Sequence, residues 1–96
     1  MYKVEIYQSK QEGGSEKIAE MQTTSVKMAL NFLKKYLPSF YCIEPTLEDM
    51  QERPQVPVPH LMFYGKRSDK PPIDAIVSFS GGSEYYARNF YRLATA

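Results

Sequence analysis

Ninety-six residues, 43% apolar and 24% charged, suffice for one ordinary domain with its own core and are too few for two. A net charge of +1 gives no global field to gather nucleic acid or an anionic membrane. The single cysteine, Cys42, cannot close an internal disulfide, so nothing points to a stapled, secreted scaffold. The opening Met1-Tyr2-Lys3-Val4-Glu5 lacks the apolar segment of a signal peptide, and no apolar run nears the ~20 residues that span a bilayer. The expected setting is the cytoplasm, with no membrane partner. Charge is mildly uneven. Residues 1–52 hold six lysines against eight acids, and residues 53–96 hold six basic residues against three acids.

Tyr2 to Tyr7 alternates, with Tyr2, Val4 and Ile6 on one face, which is the period of a half-buried strand. Gln8 to Ser15 is polar and contains Gly13-Gly14, a loop signal. Residues 16–23 fit a returning strand, or else the start of one long helix in which Ile18 and Met21 are in phase with the apolar residues after Ser25. The strand is favoured, because Thr23-Thr24-Ser25 suits strand exit and then a helix cap. Val26, Ala29, Leu30, Leu33 and Leu37 obey the helical spacing, and Pro38 ends the pattern. This spacing predicts a helix over about 25–37, with Val26, Leu30, Leu33 and Leu37 in the core. Met28, Phe32 and Tyr36 form a second stripe beside the first.

Phe40–Ile43 is a short apolar run able to form a strand. Thr46 and Asp49 resemble a capping box opening a short helix, with Leu47 and Met50 inward, that must stop by Arg53. Leu61–Tyr64 and Ile73–Phe79 read as strands joined by the loop Gly65–Pro72. After Ser80-Gly81-Gly82, Ser83 is the expected cap of a C-terminal helix. The order β-β-α-(β)-α-β-β-α implies an α+β fold, an antiparallel or mixed sheet built from two hairpins with helices on one face.

None of the chemical motifs is strong. Cys42 and His60 are the sole thiol–imidazole pair, and a nucleophile needs its base within reach and oriented. Nothing local marks either one, and a buried inert thiol is the ordinary outcome. One Cys and one His cannot furnish a zinc site. Glu48, Asp49 and Glu52 read as dipole-complementing acids rather than a cation or acid–base site. Ser80-Gly81-Gly82-Ser83 lacks the lysine and third glycine of phosphate-binding loops. Pro54–Pro59 contains a PxxP spacing but reads as a stiff connector. No catalytic residue, cofactor or metal is expected.

The C-terminal helix is the informative surface. Helical spacing places Tyr86, Phe90 and Leu93 on one side, where docking on the sheet is expected. Tyr85, Arg88, Asn89, Tyr91 and Arg92 spread over the rest. Tyr85, Arg88, Tyr91 and Arg92 are therefore the expected partner-binding residues, since Tyr and Arg dominate interface hot spots. The expected function is a non-enzymatic protein-binding module, an adaptor or inhibitor, with a protein or a second copy as partner. Compact hairpin-plus-helix chains of this size occur among small inhibitors, including those of phages, which is a fold-level analogy. The alternative is nucleic-acid binding through Lys66, Arg67 and Lys70 of the loop 65–72 together with Arg88 and Arg92. A small enzyme ranks third.

Overall fold

A computed structural model of the chain describes residues 1–37, 41–44, 59–65, 69–82 and 86–95. The elements are β1 (Tyr2–Ser9), β2 (Ser15–Thr23), α1 (Val26–Tyr36), β3 (Tyr41–Glu44), β4 (His60–Gly65), β5 (Ile73–Phe79) and α2 (Ala87–Thr95). All pairings are antiparallel, in the order β2-β1-β5-β4-β3. The fold is α+β, as the element order implies. Residues 16–23 form the strand rather than the helix, and the short apolar run before Pro45 forms β3. The sheet joins the β1–β2 hairpin to a β3-β4-β5 meander, because β5 returns beside β1. The expected helix after Thr46 and the proline run 54–58 lie outside the described residues.

The hairpin turn works because Gly13 and Gly14 take φ of 97° and 75°, a region other residues enter only under strain. The Lys10 N–H donates to the Gly14 carbonyl at 3.0 Å and the Gly13 N–H to the Lys10 carbonyl at 3.2 Å. Farther along, Ile6 pairs with Ala19 but Tyr7 with Lys17, so Ile18 is the extra residue of a bulge. A bulge and charged side chains on an edge strand discourage pairing with another chain.

Alternation builds the core. Val4 and Ile6 on β1, Leu61 and Phe63 on β4, and Ile73, Ala75, Val77 and Phe79 on β5 are all buried. Both helices cover that face, α1 over β1 and β2 and α2 against β4. The Phe90 ring lies 5.7 Å from Phe79, 5.9 Å from Tyr2 and 6.5 Å from Phe63, centroid to centroid.

Thr23 and Ser25 start α1 as the sequence implies. The Ser25 N–H donates to Thr23 Oγ1 at 3.0 Å, and Ser25 Oγ accepts from the Met28 N–H at 3.2 Å. Ala29, Leu33 and Leu37 are buried, whereas Val26 and Leu30 are only half-buried at the core's margin. The physical reason is position: α1 sits over β1 and the edge strand β2, so part of its stripe overhangs the sheet. Phe32 and Tyr36 also pack against the core.

The docking face of α2 differs from the sequence expectation. Phe90 is fully buried, but Tyr86 is 61% and Leu93 40% exposed. The buried positions are Ala87, Phe90 and Ala94. Small side chains let the helix backbone approach the sheet closely around one large ring. Ranking positions by bulk therefore turned the helix face by about one residue.

Candidate functional site

The outer surface of the two helices is the most distinctive one among the described residues. Tyr86, directly before α2, and Asn89, Arg92 and Leu93 on it are exposed. Tyr86, Asn89 and Leu93 have an i, i+3, i+7 spacing, so they lie along one line of the helix. On α1, which packs beside α2, Lys27, Met28, Asn31, Lys34 and Lys35 are exposed. Met28 is 51% exposed. Lys35 Nζ stands 5.6 Å from the centre of the Tyr36 ring, within cation–π range.

Among the described residues charge is segregated between the helices and the rest. The two helices carry Lys27, Lys34, Lys35, Arg88 and Arg92 and no carboxylate. The remaining described residues carry four lysines against seven carboxylates. Lys34, Lys35 and Arg92 lie in last turns, where cations complement the helix dipole. Lys27 and Arg88 lie in first turns without an acid, where the dipole opposes them. The dipole therefore does not account for Lys27.

The opposite face of the sheet is uncovered by either described helix and has another character. Lys17 Nζ lies 3.0 Å from Glu5 Oε2 and 3.5 Å from Glu20 Oε1, and Lys3 Nζ lies 3.2 Å from Glu20 Oε1. The Tyr7 hydroxyl donates to Glu5 Oε2 at 3.0 Å. The hydrogen bond from Lys17 holds the Glu5 carboxyl below its ordinary value, with desolvation opposing and Tyr7 assisting. The hydrogen bond from Lys3 lowers Glu20 in the same way. Tyr7 and Lys17 are raised, each chiefly by its hydrogen bond to Glu5. This closed ladder pins the register of β1 on β2. Its charges are matched internally.

Of the sequence-expected contact residues, Arg92 is exposed, and Arg88 is half-buried. Tyr91 is half-buried and packs against the core. Its ring therefore belongs partly to the docking side, since it lies one helical turn beyond Ala87. Tyr85, with Ser83 and Glu84, lies outside the described residues. So do Lys66 and Arg67, while Lys70 is exposed. Cys42 is registered opposite Phe63, and His60 opposite Ser78. Phe63 and His60 are three residues apart on β4, roughly 10 Å of strand, so the register does not bring the pair together. Glu48, Asp49 and Glu52 lie outside the described residues. Among the described residues no three His, Cys, Asp or Glu side chains come together to hold a metal ion. No described helix is long and apolar enough to cross a membrane.

A shallow, open depression of about 450 Å³ lies beside the hairpin turn, lined by Gln8, Lys10, Glu12, Glu16 and Pro71 among others. It lacks the apolar walls of a small-molecule site.

Sequence reasoning missed Tyr86, Leu93 and Met28 as surface residues, and Lys27, Lys34 and Lys35 as companions of the α2 arginines. The absence of acids from the expected helix over about 25–37 was the available signal. Comparison with family models, curated proteins and solved structures finds no match.

Proposed function

We propose that this chain is a non-enzymatic protein-binding module, an adaptor or inhibitor, that presents the outer face of α2 to a protein partner. The observation that carries this reading is the exposure of Tyr86 and Leu93 on a helix whose docking is already provided by Ala87, Phe90 and Ala94. Tyr86 and Leu93 keep much of their largely apolar surface in water beside Arg92 and Asn89, which costs solvation. Aromatic and arginine side chains in such a setting are the ones that dominate protein interfaces. Arg88 and Tyr91, on the flanks of the same helix, border the contact and do not centre it.

The test separates affinity from stability. Tyr86→Ala, Arg92→Ala and Leu93→Ala are made singly, the partner is captured from the source cell and purified, and its Kd is measured beside the urea midpoint. At least one variant should lose about 2 kcal/mol of binding, roughly thirtyfold. Folding stability should stay within ~0.5 kcal/mol of the parent. Replacing Cys42 and His60 together should leave the affinity intact. Unchanged affinity in all three α2 variants, or loss of the biological effect in a folded Cys42/His60 double variant, would overturn the proposal.

A further inference from the structure

We infer that the partner offers an acidic, amphipathic protein surface, and that α1 supplies part of the contact through Lys27, Lys34 and Lys35, with Met28 beside them. The inference rests on the α2 reading and extends it. Three observations converge. The helices lie side by side on one face of the sheet, so their outer surfaces are continuous. Together they carry five cations and no carboxylate, while the rest of the described chain carries an excess of acids. Lys27 stands in a first turn without an acid, where the dipole disfavours it. A positive surface of this kind steers and orients a negatively charged partner.

The pattern also indicates which anion class fits. Met28, Tyr86 and Leu93 are exposed among the cations. A surface that grips phosphates needs cations and hydrogen-bond donors, and gains little from an exposed thioether and an isobutyl group. A protein helix with acids around an apolar stripe satisfies both features. A second copy is disfavoured. Among the described residues the acids lie mainly on the sheet and hairpin, so charge-driven self-contact would be head-to-tail rather than the isologous two-fold contact of most homodimers.

The experiment uses three fluorescent probes of equal negative charge. They are a 20-residue amphipathic peptide of Glu with Leu at i, i+3, i+4 spacing, a 20-residue Glu/Ser/Gly peptide without leucine, and an oligonucleotide. Each is titrated with the full chain at low and physiological salt. The chain is used as wild type, as Lys27→Gln/Lys34→Gln/Lys35→Gln, as the corresponding Lys→Arg triple, and as Tyr86→Ala/Leu93→Ala. Urea midpoints serve as the folding control. The amphipathic peptide should bind most tightly. Its affinity should fall at least tenfold in the Gln triple, return in the Arg triple, fall in the α2 variant, and weaken with salt. No binding of that peptide at low salt overturns the inference, as does equal binding of the leucine-free peptide. Tighter binding of the oligonucleotide replaces the protein partner with nucleic acid. Self-association of the chain that outcompetes the peptide replaces it with a second copy. Sensitivity confined to α2 removes α1 from the site and leaves the proposed function standing. Sensitivity confined to α1 overturns the proposed function and the joint surface together.

Discussion

Phe90→Ala separates the buried side of α2 from its exposed side. Phe90 is fully buried, with the rings of Phe79, Tyr2 and Phe63 at 5.7, 5.9 and 6.5 Å. Truncating a buried phenylalanine costs about 3–5 kcal/mol in lost transfer energy and residual cavity. Three ring contacts, each worth ~0.5–1.5 kcal/mol beyond area, place this site in the upper half, at about 4–5 kcal/mol. A domain of this size has a total stability of roughly 5–15 kcal/mol, so the variant should be close to unfolding. With a urea slope of ~1–1.5 kcal/mol per molar, the midpoint should fall by about 3–5 M. Tyr86→Ala and Leu93→Ala, four residues before and three after it, should each stay within ~0.5 kcal/mol. Urea unfolding monitored by far-ultraviolet circular dichroism measures all three. If Phe90→Ala does not fold, Phe90→Leu should remain folded with a loss of about 1–2 kcal/mol. A loss below about 1 kcal/mol for Phe90→Ala, or a larger loss for Tyr86→Ala than for Phe90→Ala, would refute this assignment of faces.

On α1, Leu33→Ala should cost ~2–5 kcal/mol and Leu30→Ala distinctly less, since Leu33 is buried and Leu30 half-buried; equal losses would contradict the overhang over β2. Ser25→Ala should cost about 1 kcal/mol through loss of the cap on the Met28 amide, read as a shifted urea midpoint. Glu5 and Glu20 have lowered pKa values in the folded chain, so their contribution is present above the ordinary carboxylate value of 4.5 and is lost as pH falls through the folded values. The acid limb of a midpoint-against-pH curve should therefore flatten in Glu5→Gln/Glu20→Gln, and an unchanged limb would remove the ladder's role. Tyr7 and Lys17 are raised, so their contribution is present below the ordinary values and disappears as pH rises through the folded ones.

Local patterns carried most of the fold. Alternation marked β1 and β5, helical spacing with Pro38 marked α1, and the Thr23-Thr24-Ser25 run settled the strand before it. Two things were not legible. Strand order depends on β5 pairing with β1 across sixty-five or more residues of sequence, and no local signal encodes that pairing. The docking side of α2 depends on how closely its backbone approaches the sheet, which favours Ala87 and Ala94 over bulkier neighbours. A hydrophobicity pattern without distance assigns the larger side chains to the interior. The candidate surface was half legible for the same reason. Arg92 is exposed as expected, whereas Tyr86 and Leu93 were expected on the docking side and are exposed.

We propose that the outer face of α1 and α2 is where this chain meets its partner. Hydrogen–deuterium exchange on the complex, joined to lysine acetylation footprinting, maps the covered surface without assuming it. The account predicts slowed acetylation at Lys27, Lys34 and Lys35 and slowed exchange across Ala87–Thr95, with Lys3, Lys17 and the β1–β2 edge unchanged. Protection at β2 or on the uncovered sheet face, with the helix lysines fully reactive in the complex, would contradict it.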